Sequence, residues 1–171
     1  SGQVERAGAE LVLRERVGDT AEATRSAIGA ALDGADVLVV SGGVSVGPHD
    51  HVKDALAAVD VEERFWGVSL RPGKPTWFGT RGDKLAFGLP GNPVSAMVTF
   101  QLFVRPALAA LQGADPGVTR VVAELSEPLP RNRRREQAVR VRLAPGEPRW
   151  LATPTRAAQG SHVLTSMLGA D

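Results

Sequence analysis

The sequence predicts an α/β protein: a three-layer, mostly parallel sheet flanked by helices over residues 1–114, followed by a small all-β domain over 115–171. Three observations carry that expectation. The β-branched run Asp36-Val37-Leu38-Val39-Val40 reads as a strand buried on both faces. Two strands run out into loops of small residues that open helices, the pattern of α/β units. Beyond Gly113-Ala114-Asp115-Pro116-Gly117 the chain changes to short extended pieces between turns rich in Pro, Gly and Asn.

In chain order, Ala9-Glu10-Leu11-Val12-Leu13 is the first expected strand. An Asp19-x-x-Glu22 capping box then opens a helix that runs through Leu32 and closes near Gly34. With the Val37–Val40 run after it, this order implies a parallel crossover. Ser41-Gly42-Gly43-Val44-Ser45-Val46-Gly47 leads into a second helix from about Asp50 through Val59, with Val52, Leu56 and Val59 on one side. Phe65 to Leu70 and Thr76 to Gly79 look extended, and the two prolines of Pro72-Gly73-Lys74-Pro75 between them forbid helix. Arg81-Gly82-Asp83 turns the chain into a strand from Lys84 to Leu89. The longest helical pattern, Val94 to Leu111, follows Asn92, a favoured N-cap. Pro93 suits the first helical position because its ring lacks the N–H that would be orphaned there. Pro106 is expected to kink or restart this helix. In the tail, Val118 to Leu125, Gln137 to Leu143 and Trp150 to Thr153 are the expected strands.

The chain has 171 residues, the size of one domain plus a small appendage. With 43% hydrophobic and 23% charged residues it falls outside the disordered and collagen-like classes. The absence of cysteine excludes disulfides, thiolate catalysis and Cys-based metal sites. Every apolar run is interrupted by Gly, Pro or charge before about 18 residues, so no membrane partner is expected. The first residues do not read as a secretory signal, and the cytoplasm is the expected location. Formal net charge is +1. The cluster Arg131-Asn132-Arg133-Arg134-Arg135 has no interleaved aromatic residue and reads as a solvated loop, so no nucleic-acid partner is expected. Only three lysines, Lys53, Lys74 and Lys84, stand against seventeen arginines. A lysine retained in such a chain reads either as a position where a compact ammonium is of use or as chance.

The candidate chemistry sits in the loops. In parallel sheets ligands bind beyond the carboxyl ends of strands, and helix starts present unpaired N–H groups that suit anions. The first loop offers Gly42, Gly43 and Gly47, hydroxyls at Ser41 and Ser45, and the carboxylate of Asp50. The second offers Gly91, Asn92 and Ser95. Neither matches a P-loop or the dinucleotide fingerprint. Arg71-Pro72-Gly73-Lys74-Pro75 places two cations on a stiff segment, which suits an oxyanion clamp or, more blandly, a solvated surface loop. His49 and His51 flank Asp50 without forming a convincing zinc site. Arg140 and Arg142 alternate on a strand, where a solvent-facing pair is the common reading.

Three ordered stretches then carry a resemblance: Ser41 to Lys53 with its Gly-Gly-Val-Ser core and Asp50, Arg71-Pro72-Gly73-Lys74-Pro75, and Gly88-Leu89-Pro90-Gly91-Asn92-Pro93-Val94-Ser95. Together they resemble the signatures of the MoeA family, the molybdopterin molybdenumtransferases, which include the gephyrin E domain. Gln159-Gly160-Ser161-His162 is similar to the serine-bearing segment of that family's C-terminal β domain. The resemblance implies insertion of molybdenum from molybdate into adenylylated molybdopterin (molybdopterin-AMP), with release of AMP and use of Mg²⁺ or another divalent cation. It implies that Asp50 binds the metal and activates the phosphoanhydride, and that Arg71 and Lys74 stabilise oxyanion charge. Ser41, Gly42, Gly43, Ser45, Gly91, Asn92 and Ser95 would bind the cofactor substrate, with Arg140 and Ser161 toward molybdate. A homodimer is implied for the full-length protein.

Two departures from the family are expected to matter. Its first two domains do not precede this region, and a helix's worth of residues looks absent between Gln3 and Val4. The chain thus reads as a fragment of a molybdenum insertase, with its activity in isolation left open. The alternatives are a truncated, non-catalytic molybdopterin-binding module or gephyrin-like scaffold, and the related molybdopterin adenylyltransferase, which lacks the β domain and the Leu89-Pro90-Gly91-Asn92-Pro93 signature.

Overall fold

A computed structural model describes residues 1–45, 51–117, 120–155, 159–160 and 162–170. Helix α1 (Gly2–Arg6) runs unbroken across Gln3–Val4: Val4 N donates to Ser1 O at 2.8 Å and Ala7 N to Gln3 O at 3.1 Å. The expected strand at 9–13 does not form. Leu11, Val12 and Leu13 are 39%, 58% and 50% exposed, and residues 9–18 join no ladder. Only Ala9 of this run packs on the core. β-propensity makes a strand only where a partner edge is engaged.

Helix α2 (Ala21–Gly34) starts one residue later than the capping box implied. Thr20 is its N-cap, accepting a hydrogen bond from Ala23 N at 3.2 Å, and Ile28 and Leu32 are its buried residues. Strand β1 (Val37–Ser41) follows, then α3 (Val52–Ala57), β2 (Glu62–Trp66), the two-residue β3 (Leu70–Arg71), β4 (Trp77–Arg81) and β5 (Lys84–Leu89). The main sheet has the order β1-β5-β4-β2. Its β1–β5 pair is the parallel pair that the loop-then-helix pattern demands, while β4 runs antiparallel to both β5 and β2. The sheet is therefore mixed rather than mostly parallel, because the Arg81-Gly82-Asp83 turn makes β4 and β5 a hairpin.

Alternating side chains divide the core between the two sheet faces. One face buries Trp77 and Ala86 against α2 and α3 through Ile28, Leu32, Ala55 and Leu56. The other packs Phe87 and Leu89 on Phe100, Val104 and Leu108, with Val4 of α1 and Ala7 just past its end beside them. Phe78 bridges along this second face, with ring centroids 4.8 Å from Phe87 and 5.7 Å from Phe65. This is the expected three-layer arrangement.

The long helix is α4 (Pro93–Thr99), a π-helical turn at Phe100–Val104 and α5 (Arg105–Leu111). Pro106 accounts for the π turn: its ring excludes the normal α-helical bond and the wider turn absorbs the mismatch. Pro93–Leu111 spans 19 residues and contains an 18-residue stretch of mean hydropathy 1.5, long and apolar enough to cross a membrane by length and composition, contrary to the expectation from interrupted runs. Here its apolar face is seated on the sheet.

In the tail, β6 (Ala123–Leu125), β8 (Val141–Ala144) and β9 (Trp150–Pro154) form a three-stranded sheet in the order β6-β9-β8. The intervening β7 (Glu136–Gln137) pairs in parallel with β3, extended by Ala138 N donating to Arg71 O at 2.9 Å.

Candidate functional site

Parallel pairing of β1 with β5 brings both glycine loops to the same end of the sheet. The ladder continues past its last residues, with Gly42 N donating to Leu89 O at 3.0 Å and Ser41 Oγ to Pro90 O at 3.3 Å. There the loops touch: a side-chain carbon added to Gly91 would lie 3.3 Å from Gly42 Cα. Gly42 has φ +93°, a conformation that favours glycine. The loop end is tied to α3, because Val52 N donates to Gly43 O at 3.3 Å.

The Arg71–Pro75 segment reaches the same place from β3. Gly73, at φ +126°, lies against Thr99 of α4, one helical turn beyond Ser95, and Thr76 Oγ1 closes the turn on Gly73 O at 2.7 Å. The Arg71–Pro72 peptide is cis.

Together these segments line a cleft of ≈ 340 Å³ formed by Gly42, Gly43, Val44, Ser45, Pro75, Pro90, Gly91, Asn92 and Ser95. Of the sequence candidates, Gly42, Gly43, Ser45, Gly91, Asn92 and Ser95 are in the lining. Lys74 is exposed on the residue beside Pro75. Ser41 is exposed and spends its hydroxyl on Pro90 O. Arg71 is exposed where β3 meets β7. Asp50 and Ser161 lie outside the described residues. Val44, Pro75 and Pro90 were not anticipated as lining, and their apolar character gave no signal of a site. The described lining contains no charged side chain. Among the described residues no group of three His, Asp or Glu could hold a metal ion.

Arg140 departs from the solvent-facing reading. It is 5% exposed, donating from Nε and Nη2 to Ser166 Oγ at 3.1 and 2.9 Å, from Nη1 to Ala138 O at 3.3 Å and from Nη2 to Gly160 O at 3.4 Å. Burial lowers its pKa from the ordinary arginine value. It is not part of the cleft lining. Arg142, its partner in the alternation, is exposed. The burial comes from Gln159, Gly160 and Ser166 folding over the strand, a contact that local alternation does not encode.

With this geometry in place, comparison with known proteins is decisive. Residues 1–110 match the family model described as a probable molybdopterin binding domain, and residues 122–171 match the MoeA C-terminal region (domain IV). The chain belongs to the MoeA family. It is 42% identical over 97 residues to the molybdenum cofactor synthesis protein cinnamon of Drosophila melanogaster, covering 57% of this chain and 16% of that protein. It is 49% identical over 84 residues to the molybdopterin molybdenumtransferase of Haemophilus influenzae, covering 49% and 20%. Against the protein of that name from a Nostoc species it is 39% identical over 117 residues, covering 67% and 27%. The chain thus spans between a sixth and just over a quarter of the length of these curated relatives. Among solved structures, a molybdenum cofactor biosynthesis protein from Pyrococcus furiosus superposes with a TM-score of 0.76 at 26% identity, over 99% of this chain and 53% of the other. A molybdopterin biosynthesis MoeA protein from Pyrococcus horikoshii gives 0.73 at 27%, over 99% and 38%. The MoaB enzyme from Thermus shares the fold alone, with a TM-score of 0.51 at 24% identity over 67% of this chain.

Proposed function

We propose that this chain supplies the molybdopterin- and AMP-facing part of a molybdenum insertase, the enzyme that loads molybdate into molybdopterin-AMP and releases AMP. The observation that carries this reading is the meeting of three separated signatures, the Gly42-Gly43 loop, the Arg71–Pro75 turn and the Gly91-Asn92-Ser95 helix start, around one cleft. In this reading the glycines let phosphate oxygens approach the backbone, and Ser45 and Ser95 add hydroxyl contacts. Lys74, next to the lining residue Pro75, and Arg71 are assigned to offset charge on the phosphoanhydride and on the incoming tetrahedral oxyanion. Molybdate is a substrate here. Arg140 is the cation assigned to it, together with Ser161. Among the described residues that buried guanidinium has no carboxylate partner, and an oxyanion bound beside it would compensate its charge.

The described residues do not fit a divalent cation: the cleft lining has no carboxylate. Asp50 is the carboxylate the reading assigns to Mg²⁺, and no step is routed through that ion. The division at residues 114/115, a cytoplasmic location and a homodimer of the longer family chains belong to the same proposal. A second reading, a binding module without turnover, fits the uncharged described lining. An adenylyltransferase is disfavoured because residues 122–171 match the MoeA C-terminal region.

The test is calorimetric titration of molybdopterin-AMP and molybdate into the protein and into Asp50→Ala and Lys74→Ala, with AMP release followed in parallel. Binding weakened by both changes supports the proposed roles. Molybdate-dependent AMP release separates the insertase from the binding module. Tight nucleotide binding indifferent to both changes refutes the assignment.

A further inference from the structure

The three lysines of this arginine-rich chain now separate by what they do. Lys84 donates to the carbonyl of Ala35, just past the end of α2, at 2.9 Å, a structural contact. Lys74 stands beside the cleft residue Pro75 and is already part of the reading above. Lys53, on the first turn of α3, has no role in that reading, yet its position is defined from the cleft outward. Its Nζ sits 4.0 Å from the ring centroid of Trp66 on β2. The indole Nε1 of the same ring donates to the carbonyl of Val44, a residue of the cleft wall, at 3.0 Å. Val52, the residue before Lys53, fills the space beside Gly43 so closely that a side-chain carbon on Gly43 would fall 2.7 Å from Val52 Cγ2.

Trp66 is 40% exposed, unlike Trp77, which is 1% exposed in the core. A half-exposed tryptophan that is hydrogen-bonded to a loop carbonyl and carries a cation on its face is poorly explained as core filling. It does fit the role of a bracket that fixes both the glycine loop and a charge next to it. Restricting the lysine in advance removes part of the ordering cost that a free, solvated ammonium would incur on binding.

We infer that Lys53, held on Trp66, is a further binding residue of this site, placing a positive charge at the margin of the Gly43–Ser45 loop toward the phosphate groups of the ligand, with Trp66 as its positioning residue. The inference rests on the proposal that the cleft takes a phosphorylated ligand. It gives the loop side of the uncharged described lining a cation of its own.

The experiment measures affinity for molybdopterin-AMP, and for inorganic pyrophosphate as a second probe, at several salt concentrations. It is done in a Trp150→Phe background so that indole emission reports mainly on Trp66 and the buried Trp77. Lys53→Met should weaken binding of both probes about tenfold and flatten the salt dependence. Lys53→Arg, which keeps charge and stacking, should stay within about threefold of the parent. Trp66→Phe keeps a ring face but loses the bond to Val44, and should fall between them. Saturation should change the emission of the parent and leave that of Lys53→Met largely unmoved. Parent-like affinity and salt slope in Lys53→Met overturn this inference while leaving the cleft reading intact, even if that variant melts at a lower temperature. Failure of the parent itself to bind either probe overturns both.

Discussion

Adding one methyl group at Gly88 would put it 2.5 Å from Val44 Cγ1 and 3.1 Å from Trp77 Cβ. Both contacts are inside van der Waals range, and neither neighbour can yield easily. Val44 is 1% exposed and β-branched, with little rotamer freedom, and the Trp77 contact is at the root of a ring that is also 1% exposed. Gly88→Ala should therefore cost about 1–3 kcal/mol, the usual range for overpacking a close-packed interior. For a chain of this size each kcal/mol lowers the midpoint by about 2–4 °C, so a drop of about 2–12 °C in thermal denaturation followed by circular dichroism is expected. The strain should be specific to Val44. Val44→Ala removes the atom that is struck, at its own cost in lost burial, and the double variant should be less destabilised than the two singles together by about 1 kcal/mol or more. Because Val44 lines the cleft, Gly88→Ala should also weaken molybdopterin-AMP binding, and the second change should recover part of the loss. A Gly88→Ala protein with parent stability, or strict additivity with Val44→Ala, would refute the claim that this strand glycine exists to seat the loop.

Two smaller perturbations test other parts of the structure. Thr20→Ala removes the acceptor for Ala23 N at the start of α2 and should cost about 1 kcal/mol in urea unfolding, whereas Asp19→Ala should cost less because that residue is not the cap. Ser166→Ala withdraws the oxygen that accepts from both Nε and Nη2 of Arg140, leaving a buried guanidinium short of acceptors. A loss of about 1–3 kcal/mol is expected, read as faster amide hydrogen exchange in β8 and β9 than in β1 and β5.

Much of the structure of residues 1–110 was legible because its signals are local. The Val37–Val40 run and Lys84–Leu89 are strands by composition, Pro93 after Asn92 marks a helix start, and the Arg81-Gly82-Asp83 turn is visible in three residues. The glycine loops were legible as candidate ligand loops for the same reason. What failed depended on partners elsewhere in the chain. Leu11 to Leu13 have strand composition but engage no edge, and the mixed sheet follows from a hairpin whose pairing competes with crossover logic. Thr20 displaced Asp19 as cap by one residue, a difference set by backbone geometry that either side chain could have satisfied. Arg140 was misread because alternation describes only the two faces of a strand and not what folds across them. Trp66 carried a weak signal, an aromatic next to Phe65 in a strand. Its bonds to Val44 and Lys53 join residues 22 and 13 positions away, which no periodicity encodes.

The two-residue ladder between Leu70–Arg71 and Glu136–Gln137 crosses the point where the chain would otherwise be cut into a head and a tail. Separating the pieces there would strip the outer rail from the segment that presents Lys74, so a head expressed without its tail should keep its glycine loops but display a wandering cationic arm. The tail in this view is a splint, and its contribution to ligand capture would be felt through the straightness of its neighbour.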